Sequence, residues 1–175
     1  DETGKQYMIK GMAFGNNVWS NPSYPPENLH HTEESYKELA DMGFNSVRFY
    51  INYGLFESDS NPYTYNEKGF EWLDKNISQA KKYGIRLLFN MHYPQGGYHS
   101  QGNGEALWTN EENQKRLIAL WTEIARRYSN EPSVLGYGIV NEPVVPIVTT
   151  AEDCLTQWQK LAQQITDGIR SVSYT

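Results

Sequence analysis

The stretch SVLGYGIVNEPVVP, residues 133–146, is an apolar run interrupted by Asn141, Glu142 and Pro143. The residues before Asn141 include β-branched and aromatic side chains, which favours a buried β-strand over residues 133–141. Pro143 has no backbone N–H and cannot continue the hydrogen-bonding ladder of a strand. Because an acid beside an apolar strand costs free energy unless it is paired or used, we expect Glu142 to have a function at the carboxyl end of this strand.

Three earlier segments have the same character and alternate with helical patterns. Strands are predicted over residues 7–15, 45–52 and 85–92, and their near-continuous apolar runs are typical of strands buried on both faces. Thr32 is a candidate N-cap for the first helix, which begins with two acidic residues, and Gly43 is its predicted C-terminal stop. The later helices have apolar faces, formed by Leu73, Ile77 and Ala80 in the second, by Leu117, Ile118, Trp121, Ile124, Ala125 and Tyr128 in the third, and by Leu155, Trp158, Leu161, Ala162, Ile165 and Ile169 in the fourth. Four successive strand–helix units predict an α/β fold with a parallel sheet.

The connections that follow the strands are long, whereas those that follow the helices are short. The long connections span residues 15–31, 53–66, 93–109 and 142–152, and they hold most of the proline residues. In folds built from strand–helix units, the loops beyond the carboxyl ends of the strands form the active site. This asymmetry predicts a functional site at that edge of the sheet.

Length and composition narrow the classes of function. A chain of 175 residues suits one domain, and its net charge of −6 without a basic stripe makes nucleic acids and anionic membranes improbable partners. Aromatic residues make up 14% of the chain, and aromatic rings stack well on the C–H faces of sugars, although core packing explains most of them. Cys154 is the single cysteine, so an internal disulfide is excluded, and we expect it to be a small, buried or half-buried residue.

Polar residues collect where the predicted strands end. The first strand runs out into Asn16 and Asn17, the second contains Arg48, the third ends at Asn90, His92 and Tyr93, and the fourth ends at Asn141 and Glu142. Taken singly, Arg48 could form a structural ion pair and His92 could be a core histidine. Together they favour carboxylate-driven hydrolysis, with an apolar setting that favours the protonated form of Glu142 as a general acid. His92 and His99 lack further matched ligands, so neither a metal nor a cofactor is predicted.

These motifs resemble glycoside hydrolase family 5. The resemblance rests on VNEP at the end of the fourth strand, VRF in the second and MHYPQGG after the third, and it covers nearly the whole chain. It implies a (β/α)8 TIM barrel that cleaves β-linked glucans or mannans with retention of configuration. By the same resemblance, Glu142 is the general acid/base, and Asn141 binds the 2-hydroxyl of the cleaved sugar.

The resemblance also implies roles for other residues at the strand ends. Arg48 supports the nucleophile and His92 lines the catalytic subsite. Asn90 is a departure, because many relatives carry an acid two residues before the histidine, and we expect the change to matter little for the mechanism. The expected substrate-binding residues are Asn16, Trp19, Tyr53, Tyr93 and Trp108.

The second catalytic carboxylate of such an enzyme is not expected in this chain. A retaining glycosidase needs two carboxylates roughly 5–5.5 Å apart, and the resemblance puts the nucleophile on the seventh strand. Glu57, Asp59 and Glu105 lie in strand-end loops but are more simply interpreted as solvated loop acids. A (β/α)8 barrel usually has about 250 residues, so we expect residues 1–175 to be the N-terminal (βα)4 half of a catalytic domain whose C-terminal half is absent from this chain or supplied as a separate chain.

The leading hypothesis is a retaining endo-β-1,4-glucanase, a cellulase that degrades β-glucan polysaccharide. A related β-mannanase or exo-glucanase is the alternative within the family, and an inactive structural or weakly sugar-binding fragment is the alternative outside it. Because polymeric glucans do not enter cells, we expect secretion.

Overall fold

The structure is a computed structural model and describes residues 6–18, 31–97, 104–145 and 150–173. Its strands are Gly11–Phe14 (β1), Ser46–Asn52 (β2), Arg86–Tyr93 (β3) and Val134–Gly138 (β4). Its α-helices are Glu33–Asp41 (α1), Glu67–Lys82 (α2), Glu105–Thr109 (α3), Glu111–Arg127 (α4) and Ala151–Arg170 (α5), and a single 3₁₀ turn covers Tyr53–Leu55. None of the described helices is long and apolar enough to cross a membrane.

The four strands form one parallel sheet in the order β1-β2-β3-β4. Sequential order with parallel pairing is the arrangement of half a (β/α)8 barrel, which confirms the predicted α/β fold. Within the described residues, β1 pairs only with β2 and β4 only with β3, so both form edges of the sheet.

The core lies between one face of the sheet and the helices. Successive side chains of a strand point to opposite faces, and the fully buried positions alternate along the two central strands. They are Val47, Phe49 and Ile51 on β2, and Leu87, Phe89 and Met91 on β3. The residues between them lie on the opposite face and include Arg48, Tyr50, Asn90 and His92. The alternation therefore separates an apolar face that packs on helices from a polar face.

The helix ends follow the predicted signals. Thr32 is the N-cap of α1, with extended backbone, and its N–H donates to the Ser35 hydroxyl at 3.1 Å. Gly43 follows the helix with φ +83°, a conformation that glycine adopts without strain. Tyr36, Leu39 and the apolar faces of α2 and α4 pack in the core.

The two edge strands, β1 and β4, are shorter than the sequence predicts. β1 covers Gly11–Phe14 rather than 7–15, and its first three residues are exposed; β4 ends at Gly138 rather than at residue 141. Within the residues that the structure describes, each edge strand has a neighbour on one side only, which shortens its ladder and leaves its residues less covered than those of β2 and β3. Residues 105–109, which the sequence predicts to be part of a connecting loop, form α3.

Candidate active site

Arg48 is the centre of the polar cluster on the open face of the sheet. Its Nη1 donates to the Tyr50 hydroxyl at 2.8 Å, and its Nη2 donates to Asn90 Oδ1 at 2.8 Å and to Asn141 Oδ1 at 2.7 Å. Strand alternation puts Tyr50 on the same face as Arg48, and the β2–β3 register pairs Tyr50 with Asn90. One guanidinium thereby joins the carboxyl-end residues of three strands.

His92 is held against this cluster on two sides. Its ring stacks on Tyr50 with centroids 3.9 Å apart and an angle of 12° between the planes, and its Nδ1 lies 2.9 Å from Asn90 Nδ2. Burial lowers the pKa of His92 to about 4, the Arg48 charge acts in the same direction, and Glu142 opposes both. The imidazole is therefore neutral at ordinary pH, and Glu142 lies within electrostatic reach of it.

Asn141 and Glu142 lie beyond the end of β4. The Asn141 N–H donates to Met91 O at 2.9 Å, so the chain still follows β3 after the ladder has ended. Glu142 has φ +44°, a left-handed conformation that costs a non-glycine residue about 1–3 kcal/mol and is common at functional sites. Its side chain is exposed, contrary to the predicted apolar setting, because the chain leaves the sheet at Gly138 and carries Glu142 into a surface turn.

Asn16 approaches the cluster from β1. Its Nδ2 donates to Tyr50 O at 2.9 Å, and its backbone has φ +52°. The residue is buried, and its Oδ1 has no hydrogen-bond partner within the described part of the chain. Asn16 therefore lies next to the cluster and holds the backbone at Tyr50.

The predicted aromatic residues border two depressions at this edge of the sheet. Tyr53 and Tyr93 lie 6.5 Å apart, with ring planes at 23°, and line a cleft of about 580 Å³. Trp108, on α3, contacts Trp158 edge to face at 6.5 Å and lines a small depression together with Asn141 and Glu142. Trp19 and His99 lie outside the described residues.

The prediction that Glu57 is a solvated loop acid is wrong. Its side chain is 0% exposed because Arg116 Nε pairs with Glu57 Oε1 at 3.0 Å, and Gln95 Nε2 donates to the same oxygen at 2.6 Å. Asp59 is 69% exposed and pairs with Arg116 at 2.9 Å, while Glu105 is the exposed first residue of α3. The Glu57 carboxylate is thus occupied by structural contacts.

Two features of the site were not predicted from the sequence. Tyr50 is a stacking platform for His92, and the spacing of Arg48 and Tyr50 by two residues was the signal that they share a face. Asn90 bridges Arg48 and His92, a contact that only the pairing of β2 with β3 creates. Among the described residues, no three His, Cys, Asp or Glu side chains converge as metal ligands would.

The chain is similar throughout its length to known glycoside hydrolases. The family model "Cellulase (glycosyl hydrolase family 5)" matches residues 1–175. Endoglucanase C of Acetivibrio thermocellus is 31% identical over 144 residues, which cover 82% of this chain and 40% of the relative. Cellodextrinase A of Ruminococcus flavefaciens is 30% identical over 170 residues, which cover 95% of this chain and 48% of the relative.

The fold agrees with a solved structure of such an enzyme. Thermotoga maritima Cel5A in complex with cellobiose matches with a TM-score of 0.71 and 25% identity over 95% of this chain and 49% of that one. The chain therefore spans less than half the length of these relatives. The full-length match to the family model and the half-barrel fold lead to one conclusion: the chain belongs to the cellulase family of glycoside hydrolases, glycosyl hydrolase family 5.

Proposed function

We propose that this chain carries the acid/base half of a retaining endo-β-1,4-glucanase, with Glu142 as the general acid/base. One observation carries the proposal: Arg48 donates hydrogen bonds to both Asn90 and Asn141 beside His92, and Glu142, whose backbone is in the left-handed region, follows Asn141 directly. Such a constellation at the carboxyl ends of barrel strands is where catalytic residues of this fold lie. Similarity to an endoglucanase and a cellodextrinase supports a β-glucan substrate.

The proposed reaction has two steps. A carboxylate from the second half of the barrel attacks the anomeric carbon while the Glu142 carboxyl gives its proton to the departing glycosidic oxygen. The Glu142 carboxylate then takes a proton from water, whose oxygen displaces the enzyme carboxylate and releases the sugar with its configuration retained. In this scheme Asn141 orients the cleaved sugar and Arg48 supports the nucleophile, since the hydrogen bonds of its guanidinium within the described residues go to neutral acceptors.

Substrate contacts outside the reacting centre are assigned to the aromatic residues. Tyr53 and Tyr93 border the cleft of about 580 Å³, and Trp108 borders the depression that Glu142 lines. These rings would stack on the C–H faces of sugar units, and Trp19 and Asn16 are proposed to act with them. A panel of soluble β-glucan, mannan and xylan separates the endoglucanase from a β-mannanase, and product lengths over time separate an endo- from an exo-acting enzyme.

The sheet edges support the proposal that a second half barrel completes the enzyme. Met8, Ile9 and Met12 are 63%, 59% and 50% exposed on or beside β1, and Val144 is 49% exposed beyond β4. Unpaired parallel edges with apolar neighbours are normally covered. Native mass spectrometry tests whether a second polypeptide accompanies this chain or whether one longer polypeptide carries both halves.

The decisive experiment replaces Glu142 by glutamine in the protein at its native length. Loss of the proton donor should lower kcat for release of reducing ends from soluble β-glucan by about 10²–10⁴-fold. An aryl oligosaccharide whose phenol leaves without protonation should lose much less in the bond-breaking step. Glu105→Gln, a change to another exposed strand-end acid, is the matched control and should keep its activity. Full activity of Glu142→Gln would refute the assignment, and no hydrolysis by the complete wild-type barrel would favour a binding or structural role.

A further inference from the structure

Asn90 connects the cationic centre of the site to the histidine. Its Oδ1 lies 2.8 Å from Arg48 Nη2, and its Nδ2 lies 2.9 Å from His92 Nδ1. Asn90 and His92 are 2% and 4% exposed, so water does not compete for these contacts. The hydrogen-bonding chemistry of Arg48 and His92 fixes which atoms carry a hydrogen in the Arg48–Asn90 and Asn90–His92 contacts.

The guanidinium of Arg48 only donates hydrogen bonds. The Asn90 atom that faces Arg48 must therefore be the amide oxygen, and the atom that faces His92 must be the NH₂ group. That group only donates as well, so His92 Nδ1 must accept. A neutral imidazole that accepts at Nδ1 carries its hydrogen at Nε2.

We infer that Asn90 is a positioning residue, which fixes His92 as the neutral Nε2–H tautomer and so makes its Nε2 a hydrogen-bond donor for an oxygen of the substrate. Protonation of Nδ1 would set that N–H against the Asn90 NH₂ group, two donors face to face. Stacking on Tyr50 at 3.9 Å keeps the ring in the plane that this hydrogen bond requires. The charges that act on the ring, Arg48 and Glu142, oppose one another.

An acid at position 90 would reverse the assignment. A carboxylate only accepts hydrogen bonds, so His92 would have to donate from Nδ1. The ring would then accept at Nε2 when neutral, or would become an imidazolium that donates from both nitrogens. The replacement of an acid by Asn90, which we expected to matter little, therefore sets the protonation of His92.

The consequence for catalysis rests on the proposed function, whereas the tautomer does not. A histidine that stays neutral offers the same donor to a sugar hydroxyl while Glu142 gives up and regains its proton. With an acid at position 90, the charge on His92 would change within the acidic pH range, and so would its contact with the substrate.

The tautomer can be measured without a substrate by ¹⁵N NMR of the histidine-labelled protein at its native length. This chain contributes four histidines, and the His92 signals are those that vanish in His92→Gln. We expect a pyridine-like Nδ1 and a pyrrole-like Nε2 that persist below pH 6. A protonated Nδ1 in the wild-type protein would overturn the inference.

Asn90→Asp tests the cause. An added negative charge at hydrogen-bonding distance should raise the His92 pKa by about 1–3 pH units and move the hydrogen to Nδ1, and the pH profile of kcat/KM should gain a limb at that pKa. Asn113→Asp is the matched control: Arg116 Nη1 donates to Asn113 Oδ1 at 3.4 Å, so the change also puts a carboxylate beside an arginine, and it should leave the His92 titration unchanged.

Unchanged His92 signals in Asn90→Asp would refute the inference. If the tautomer is as inferred but the wild-type barrel hydrolyses no glycan, only the proposed function fails.

Discussion

Replacing Arg116 by methionine should destabilise the protein by about 3 kcal/mol, because it leaves a buried carboxylate without its cation. Arg116 lies on α4 with its side chain 6% exposed, and it pairs at 3.0 Å with Glu57, whose side chain is 0% exposed. Glu57 lies in the loop after β2, and Gln95, in the loop after β3, also donates to it. The ion pair thereby fixes two strand-end loops to one helix beside the candidate site.

The expected loss in the free energy of unfolding depends on the contacts that Glu57 keeps when Arg116 is replaced. Removal of one partner from a buried pair costs about 3–5 kcal/mol. Among the described residues, two donors remain on Glu57, namely Gln95 Nε2 at 2.6 Å and the Tyr63 N–H at 3.0 Å, which puts the expected loss at the lower end of that range. The second contact of Arg116, with the 69% exposed Asp59, adds less than about 1 kcal/mol.

The assay is urea unfolding of the protein at its native length, with the free energy of unfolding compared at a constant m-value. The double variant Arg116→Met, Glu57→Gln should recover at least about 2 kcal/mol of the free energy of unfolding relative to Arg116→Met, because it removes the unpaired, buried charge of Glu57. The buried Oε1 of Gln95 has no hydrogen-bond partner within the described residues, so a flip of that amide would let it accept from the amide introduced at position 57.

Arg126→Met is the matched control. The Arg126 pair with Glu123 is at the surface, with side chains 58% and 15% exposed, and its loss should cost less than about 1 kcal/mol. If Arg116→Met costs no more than this control, or if the double variant is no more stable than the single one, the buried charge is not what holds these loops.

A glycine and a histidine give two further predictions. A methyl group at Gly69 would lie 2.2 Å from Leu55 O, so Gly69→Ala should lower the free energy of unfolding, measured in urea, by about 1–3 kcal/mol. Gly136→Ala is the control, because a methyl group there would have no atom within 4 Å and should be neutral or slightly stabilising. Equal values for the two variants would refute the steric argument. Burial lowers the pKa of His92 from the ordinary histidine value of 6.5 to about 4 in the folded protein, so between these pH values the unfolded state binds a proton that the folded state does not. As pH falls through this window, the free energy of unfolding of the wild type should drop by about 1–3 kcal/mol more than that of His92→Gln, and parallel pH curves would contradict the assignment.

The elements with local signals were predicted closely. Apolar runs predicted β2 and β3 within one residue at either end, and the end signals Thr32 and Gly43 located α1. These features depend on residues a few positions apart in the chain, and local propensity acts at that distance. The shorter β1 and β4 depend on neighbours across the sheet, which local patterns do not contain.

The same division holds for the candidate site. The order of the strand–helix units and the residues at their ends follow from the sequence alone, because parallel strands bring their carboxyl ends to one edge. Only the tertiary structure decided that the Arg48 guanidinium joins Asn90 and Asn141, and that Arg116 pairs with the buried Glu57. Hydrogen bonds and ion pairs between residues 42 to 93 positions apart are set by strand register and helix packing, and a buried charge has its partner only when those elements are in place.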